Sequence, residues 1–142
     1  MADTSLGFRF RGRVSGAYPT IQDLIYKDTE TLSAGDMANL ESGEIDLAAT
    51  GDTNLLGMIM ETQAGTDSTT KAKVIVDPDA IYGVYDPVAR VKGATLDIAG
   101  ATAAQTIATS SNKEFVVFMD SAADEETLVV FNIGKHAYNK AQ

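Results

Sequence analysis

Residues 55–60 have the sequence Leu-Leu-Gly-Met-Ile-Met, which is apolar throughout. A short apolar run bounded by turn-forming residues is typical of a strand that has no solvent-facing side. We therefore predict that this segment is a strand that is buried on both faces or that lies at a subunit contact.

Turn-forming residues recur at close intervals around this run. Gly-Asp pairs at 35–36 and 51–52 and a Ser-Gly pair at 42–43 separate short segments before it. Strand-like runs follow it at 72–76, 80–85, 94–98, 105–108, 114–119 and 126–133. About eight to ten short strands at this spacing predict a mainly all-β fold, either a small β-barrel or a β-sandwich.

Three segments allow more than one structure. Residues 19–32 suit either a short helix or a strand, and residues 99–104 suit either a short helix or a tightly packed loop. Residues 62–70 are polar and rich in threonine. This composition predicts an exposed hairpin loop.

The segment 6–14 alternates apolar and basic side chains with the period of a strand. The alternation places Phe8, Phe10 and Val14 on one side. The basic side chains are Arg9, Arg11 and Arg13. We predict an extended N-terminal arm that adds a strand to a neighbouring protein. The alternative is an ordinary edge strand of the domain itself.

Charge divides the chain near the same place. The formal net charge is −9, but residues 1–20 carry +2, so residues 21–142 carry −11. An acidic body repels nucleic acid and anionic lipid, and it keeps an abundant protein dispersed. We predict an arm over residues 1–20 and a single β-rich domain over residues 21–142, without a direct nucleic-acid partner or a membrane.

The chain contains no cysteine, so packing, hydrogen bonds or subunit contacts must hold the fold in place of disulfides. No apolar run approaches the ~20 residues that a spanning helix requires. The N-terminus also lacks the charged-then-apolar order of a signal peptide. We expect a protein that is made in the cytosol.

Candidate catalytic residues are sparse. His136 is the only histidine and lies six residues from the C-terminus, where it gives a Ser-His-Asp triad little support. We expect it to be a surface or interface histidine. One histidine without any cysteine also makes a zinc site improbable.

Two groups of carboxylates and one short motif remain. Turn formation explains Asp77 and Asp79, solvation explains the acidic run 124–126, and neither matches an EF-hand calcium loop. Residues 110–113 fit the Ser-x-x-Lys spacing of penicillin-binding enzymes, but no partner motif accompanies them. Phosphate-binding glycine motifs are also absent. We expect no catalytic residue, no cofactor and no metal.

Four stretches resemble the small decoration (cement) proteins of tailed-phage heads. The first, residues 32–59, has a Gly-Asp turn, a short strand and a later Leu-Gly-apolar strand. Residues 91–98, 110–118 and 126–133 are similar to the closing strands of the same group. The likeness consists of strand patterns rather than a diagnostic motif.

This resemblance implies a virion protein on the outer surface of an icosahedral head, often a homotrimer. Such a protein bridges neighbouring major capsid protein subunits and stabilises the shell by binding, without a reaction. The arm is then expected to pair with an acidic coat surface. The capsid-binding residues predicted on this basis are Phe8, Arg9, Phe10, Arg11 and Arg13.

Three alternatives stay open. The first is another β-rich virion part, because a head-fibre base, a tail-tube component or a head-tail joining protein would share the composition of this chain. A small ligand-binding β module, or a trimeric β enzyme, would be favoured by a buried group of carboxylates with shifted titration. A nucleic-acid-binding arginine arm has weak support, because only three arginines oppose the acidic body.

Overall fold

The computed structural model describes residues 7–27, 31–64, 71–101, 104–109 and 111–138. Thirteen β-strands lie in these ranges, and the same ranges contain no helix. The strands are β1 (Arg9–Arg13), β2 (Ile21–Ile25), β3 (Thr31–Leu32), β4 (Met37–Glu41), β5 (Glu44–Leu47), β6 (Leu55–Met58), β7 (Gln63–Ala64), β8 (Lys71–Ile75), β9 (Ala80–Asp86), β10 (Thr95–Ala99), β11 (Thr106–Thr109), β12 (Phe115–Val117) and β13 (Glu125–Phe131).

Antiparallel sheets contain all of these strands. The largest sheet has six strands in the order β1-β9-β13-β12-β10-β11, and another has three in the order β5-β4-β6. Two further pairs are β2 with β8 and β3 with β7. The predicted all-β fold is confirmed. It is sandwich-like, because none of the sheets in the described ranges closes into a barrel.

β6 lies between two hydrophobic cores. Leu55 and Met58 pack into the larger core, on the six-stranded sheet, whereas Leu56 and Ile59 pack into the smaller core, with β2 and β8. β6 has a bulge of one extra residue between the positions that pair with Ala38 and Asn39 of β4. The bulge shifts the alternation of the β6 side chains by one residue, so Leu55 and Met58 face the same core although they are three residues apart. The prediction of a strand that is buried on both faces is confirmed.

Residues 7–13 belong to the domain's own sheet. β1 pairs antiparallel with β9, and Phe8, immediately before β1, is only 2% exposed and lies in the larger core. The described part of the segment is therefore the edge strand, which was the alternative to an extended arm. The six-stranded sheet therefore contains strands from both sides of the expected domain boundary at residue 20. Residues 1–6 lie outside the described residues.

The alternation expected for residues 6–14 is present only in part. A bulge between Phe10 and Gly12 adds one residue to β1, and an extra residue moves the following side chains to the opposite face. Phe8 and Phe10 both pack on the larger core, but Val14 is 58% exposed. The prediction that Val14 shares their side is wrong for this reason.

The segments with two possible structures contain strands and a turn. β2 and β3 lie within residues 19–32, where a helix was one possibility. After β10, the Ala104 N–H donates to the Ala101 carbonyl in a turn; residues 102 and 103 lie outside the described residues. The predicted loop at 62–70 includes β7, which pairs with β3, and the rest of it from residue 65 lies outside them too.

The backbone of β6 comes unusually close to two neighbouring strands at Gly57. A Cβ atom there would overlap the carbonyl oxygen of Ile75 in β8 and would lie 2.6 Å from the hydroxyl of Tyr82 in β9. The same hydroxyl accepts a hydrogen bond from the Met58 N–H at 3.2 Å. Only glycine permits this approach, so Gly57 fixes the distance between the layers.

We predict that Gly57→Ala lowers the free energy of unfolding by at least about 3 kcal/mol, because the clash involves backbone that cannot move without separating the layers. Gly93→Ala is the matched control. Gly93 also has a positive φ, of 89°, but has no atom within 4 Å of the added methyl group. The control should lose only about 1–2 kcal/mol of conformational energy. Urea unfolding measures both values, and equal losses would contradict the role of the close approach.

Candidate functional site

The predicted capsid-contacting residues lie together at one edge of the six-stranded sheet, of which β1 is the terminal strand. The two phenylalanines face the core. The ring centroids of Phe8 and Phe115 are 5.4 Å apart, and those of Phe10 and Tyr82 are 6.1 Å apart. Phe8 is therefore part of the core, and Phe10 is half-buried at its margin.

Arg11 and Arg13 form ion pairs within the domain. Arg11 binds Glu126 of β13 with two hydrogen bonds, of 2.6 and 2.9 Å. Arg13 donates from Nε to Asp79 at 2.7 Å, and its Nη1 lies 3.3 Å from Asp77. These guanidinium groups already neutralise carboxylates of their own chain. An acidic partner would have to compete for them.

The predicted turn at 77–79 is present and joins β8 in one sheet to β9 in another. Its carboxylates bind the backbone that follows β1: Asp77 accepts from the Thr20 N–H at 2.7 Å, and Asp79 accepts from the Ser15 N–H at 3.1 Å. Burial raises the pKa of Asp79, but the hydrogen bonds from Arg13 and Ser15 outweigh burial and lower it. Asp77 and Asp79 therefore have a structural role, because they connect the backbone after β1 to this turn.

An open groove of about 400 Å³ lies along the outer side of β1. Its lining comes from the start of β1, the turn at 34–35 and the end of β6: Phe8, Arg9, Phe10, Ala34, Gly35, Met58, Ile59 and Met60. The sequence predicted the β1 residues, and it assigned the 55–60 run to a strand that is buried on both faces or lies at a subunit contact. Nothing in its pattern distinguished the half-exposed methionines from the core residues beside them.

The peptide groups of β1 alternate between β9 and the groove. The Phe8 N–H points away from β9 and donates to the Gly35 carbonyl at 2.8 Å. Two residues further along, the Phe10 peptide groups face the same side, because N–H and C=O directions repeat every second residue of an antiparallel strand. Outside the strand ladders, no backbone hydrogen bond between described residues involves the Phe10 N–H. The outer side of a terminal strand is a surface to which a further strand can add.

His136 is fully buried, and the expectation of a surface or interface histidine is wrong. Its Nε2 lies 2.7 Å from the Leu56 carbonyl oxygen, and its Nδ1 accepts from the Tyr138 N–H at 3.0 Å. This pattern corresponds to the neutral ring with the proton on Nε2. The ring packs against Phe131, with centroids 4.9 Å apart. His136 thus fastens the C-terminal segment to β6.

The Ser-x-x-Lys segment surrounds a buried carboxylate. Asp97 accepts hydrogen bonds from the backbone N–H groups of Ser111, Asn112 and Lys113, at 2.7 to 3.1 Å, and from the Ser111 hydroxyl. Burial raises the pKa of Asp97, but these hydrogen bonds outweigh it and lower the pKa. The first serine of the motif, residue 110, lies outside the described residues.

Two other carboxyl groups have raised pKa values. Glu114 is fully buried, where burial raises its pKa and the nearby Asp97 adds to the effect; its Oε1 accepts from the Ile98 N–H at 3.1 Å. Burial also raises the pKa of Asp46, to about 6. Asp46 lies on β5 beside Asn39, whereas Glu114 lies beside Asp97 under the 111–113 turn. Neither borders the groove.

The described residues contain no group of three or more His, Cys, Asp or Glu side chains that could hold a metal ion. In the same ranges, no helix is long and apolar enough to cross a membrane.

Neither protein-family models nor curated protein sequences give a match to this chain.

We predict that Phe8→Ala costs about 3–5 kcal/mol of unfolding free energy, because it removes an aromatic side chain from the core. Arg11→Ala removes a partly exposed side chain that forms an ion pair with Glu126, and it should cost about 0–1 kcal/mol. Chemical denaturation of the two variants, which lie three residues apart, makes the comparison. Equal small losses would show that the segment preceding β1 does not contribute to the core.

We predict that Glu114→Gln alters the pH dependence of stability. Because the folded-state pKa of Glu114 lies above its ordinary value of 4.5, the protonated side chain favours the folded state. This contribution is present below about pH 4.5 and is lost as the pH rises through the folded-state pKa. The unfolding free energy of the wild type should therefore fall relative to that of Glu114→Gln as the pH rises above about 4.5. Parallel curves would contradict the prediction.

Proposed function

We propose that this chain is a non-enzymatic structural protein of a tailed-phage virion, which binds the outer surface of the capsid and cements neighbouring major capsid protein subunits. The observation that carries the proposal is the β1 edge, where an open groove, lined mostly by apolar side chains, runs beside the terminal strand of the six-stranded sheet. Such an edge suits the binding of another polypeptide.

The contacts of the polar residues support a binding role. His136, Asp77, Asp79 and Asp97 each satisfy backbone groups of the fold or neighbouring ion-pair partners. Glu114, with its raised pKa, is fully buried, away from the groove. The residue types that attracted an enzymatic interpretation are thus engaged in structure.

The charge of the chain also supports a protein that attaches late to a finished shell. A net charge of −9 per chain keeps the free protein dispersed and soluble at high concentration. Attachment then depends on a specific surface rather than on general attraction. We propose a homotrimer as the attaching unit, as the resemblance to decoration proteins implies.

The test is to mix the purified protein with undecorated phage heads, sediment the heads, and count the bound copies per shell. Light scattering gives the mass of the free protein in parallel. We expect saturable binding at a multiple that fits the icosahedral threefold positions, together with a trimeric mass. Binding only to tails or to the head-tail joint would assign the chain to another virion component. A monomer without any binding would favour the ligand-binding module.

A further inference from the structure

We propose that the turn at residues 49–52 is a pH-sensitive contact between two sheets, which lies against Glu114 when this side chain is protonated and moves away when it is ionised. The turn connects β5 to β6 of the three-stranded sheet, and Glu114 immediately precedes β12 of the six-stranded sheet. The inference concerns contacts within one chain, so it does not depend on the proposed virion role.

Glu114 and the turn meet at the backbone of Ile98 in β10. β12 pairs only with the first two residues of β10, so the Ile98 peptide groups lie beyond the end of this pairing. There, Glu114 Oε1 accepts from the Ile98 N–H at 3.1 Å, and the Thr50 hydroxyl donates to the Ile98 carbonyl. The same Oε1 accepts from the Gly51 N–H at 3.4 Å. One oxygen atom thus joins the turn to the six-stranded sheet.

Ionisation of Glu114 places a negative charge where its second oxygen has no hydrogen-bond donor. The side chain is fully buried, and no described residue donates to Oε2. In the protonated form Oε2 carries the proton, because Oε1 already accepts from two N–H groups. A buried hydroxyl without a partner costs much less free energy than a buried charge without one. The ionised form therefore favours a movement that brings water to Oε2.

The charged groups around Glu114 increase the cost of its ionisation. Burial raises the pKa of Glu114 and the charge of Asp97, on β10, raises it further, whereas Lys135, which follows β13, lowers the pKa without offsetting them. Asp97 is itself held in the charged form by the hydrogen bonds from the 111–113 turn. Within the 49–52 turn, the Asp52 carboxylate accepts from the Ala49 N–H at 2.8 Å. Protonation of Asp52 would loosen the turn as the pH falls, which is the opposite direction.

The turn is the part of this contact that can move. Thr50 and Gly51 are exposed, whereas Ile98 is fully buried. The 3.4 Å bond from the Gly51 N–H is longer than the usual range of about 2.7–3.2 Å, so little is lost when it breaks. A displaced turn admits water to Glu114 and leaves the pairing of the strands intact. We therefore expect the turn to open as the pH rises through the folded-state pKa of Glu114.

The experiment measures amide hydrogen exchange at Ile98 and Leu96 by NMR across the titration of the Glu114 carboxyl signal. Both N–H groups point to the same side of β10, because they lie two residues apart. Leu96 pairs with Phe115 of β12 and remains covered when the turn moves. The ratio of the two exchange rates cancels the intrinsic effect of pH and the effect of global unfolding. We expect Ile98 to gain at least about tenfold over Leu96 as Glu114 becomes ionised.

Two variants assign this change to its titrating group. Glu114→Gln keeps the shape of the protonated side chain, so the ratio should lose its pH dependence. Asp46→Asn is the control, because Asp46 also has a raised pKa and interacts with the charge of Asp52 in the turn; this variant should behave as the wild type does. A constant ratio in the wild type would overturn the proposal. A pH-dependent ratio that persists in Glu114→Gln, or that disappears in Asp46→Asn, would do so too.

Discussion

The close approach of β6 to its neighbours at Gly57 is the constraint on which the rest of the structure depends. It brings the β6 backbone against both the Ile75 carbonyl and the Tyr82 hydroxyl. The hydroxyl of Tyr82 in turn accepts from the Met58 N–H, and burial raises the pKa of this tyrosine. Three sheets are thereby held at fixed spacings around one strand. Two cores fill the spaces that remain, and both use side chains of β6.

Buried polar side chains provide a second set of connections in a chain that has no disulfide. Gln105 is fully buried: its Oε1 accepts from the Met37 N–H and its Nε2 donates to the Ala48 carbonyl. In the same way, His136 forms a hydrogen bond with the backbone of β6. Asp97 accepts hydrogen bonds from the backbone of the 111–113 turn. Each side chain satisfies backbone groups that the short strands leave unpaired, which is the condition for burying such groups at all.

The N-terminal strand combines contacts within the domain on one side with an exposed outer side. Phe8 packs in the larger core, and Arg11 and Arg13 bind carboxylates of the same chain. These contacts fix β1 as the edge of the sheet. What remains accessible is the outer side of the strand, where the groove lies. The exposed surface at this edge is thus formed by β1 and the end of β6 together, rather than by a free arm.

The sequence by itself determined the all-β class, most of the strand positions and the two-sided burial of residues 55–60, because these depend on local periodicity and turn chemistry. It also identified the strand character of residues 6–14, but it left open whether that strand belonged to this domain. Only the tertiary structure decided this, since the pairing of β1 with β9 joins segments about 70 residues apart. The burial of His136 and the groove beside Phe10 were likewise decided by long-range packing. Periodicity reports which faces of a strand are apolar, whereas only the assembled fold determines which segment covers them.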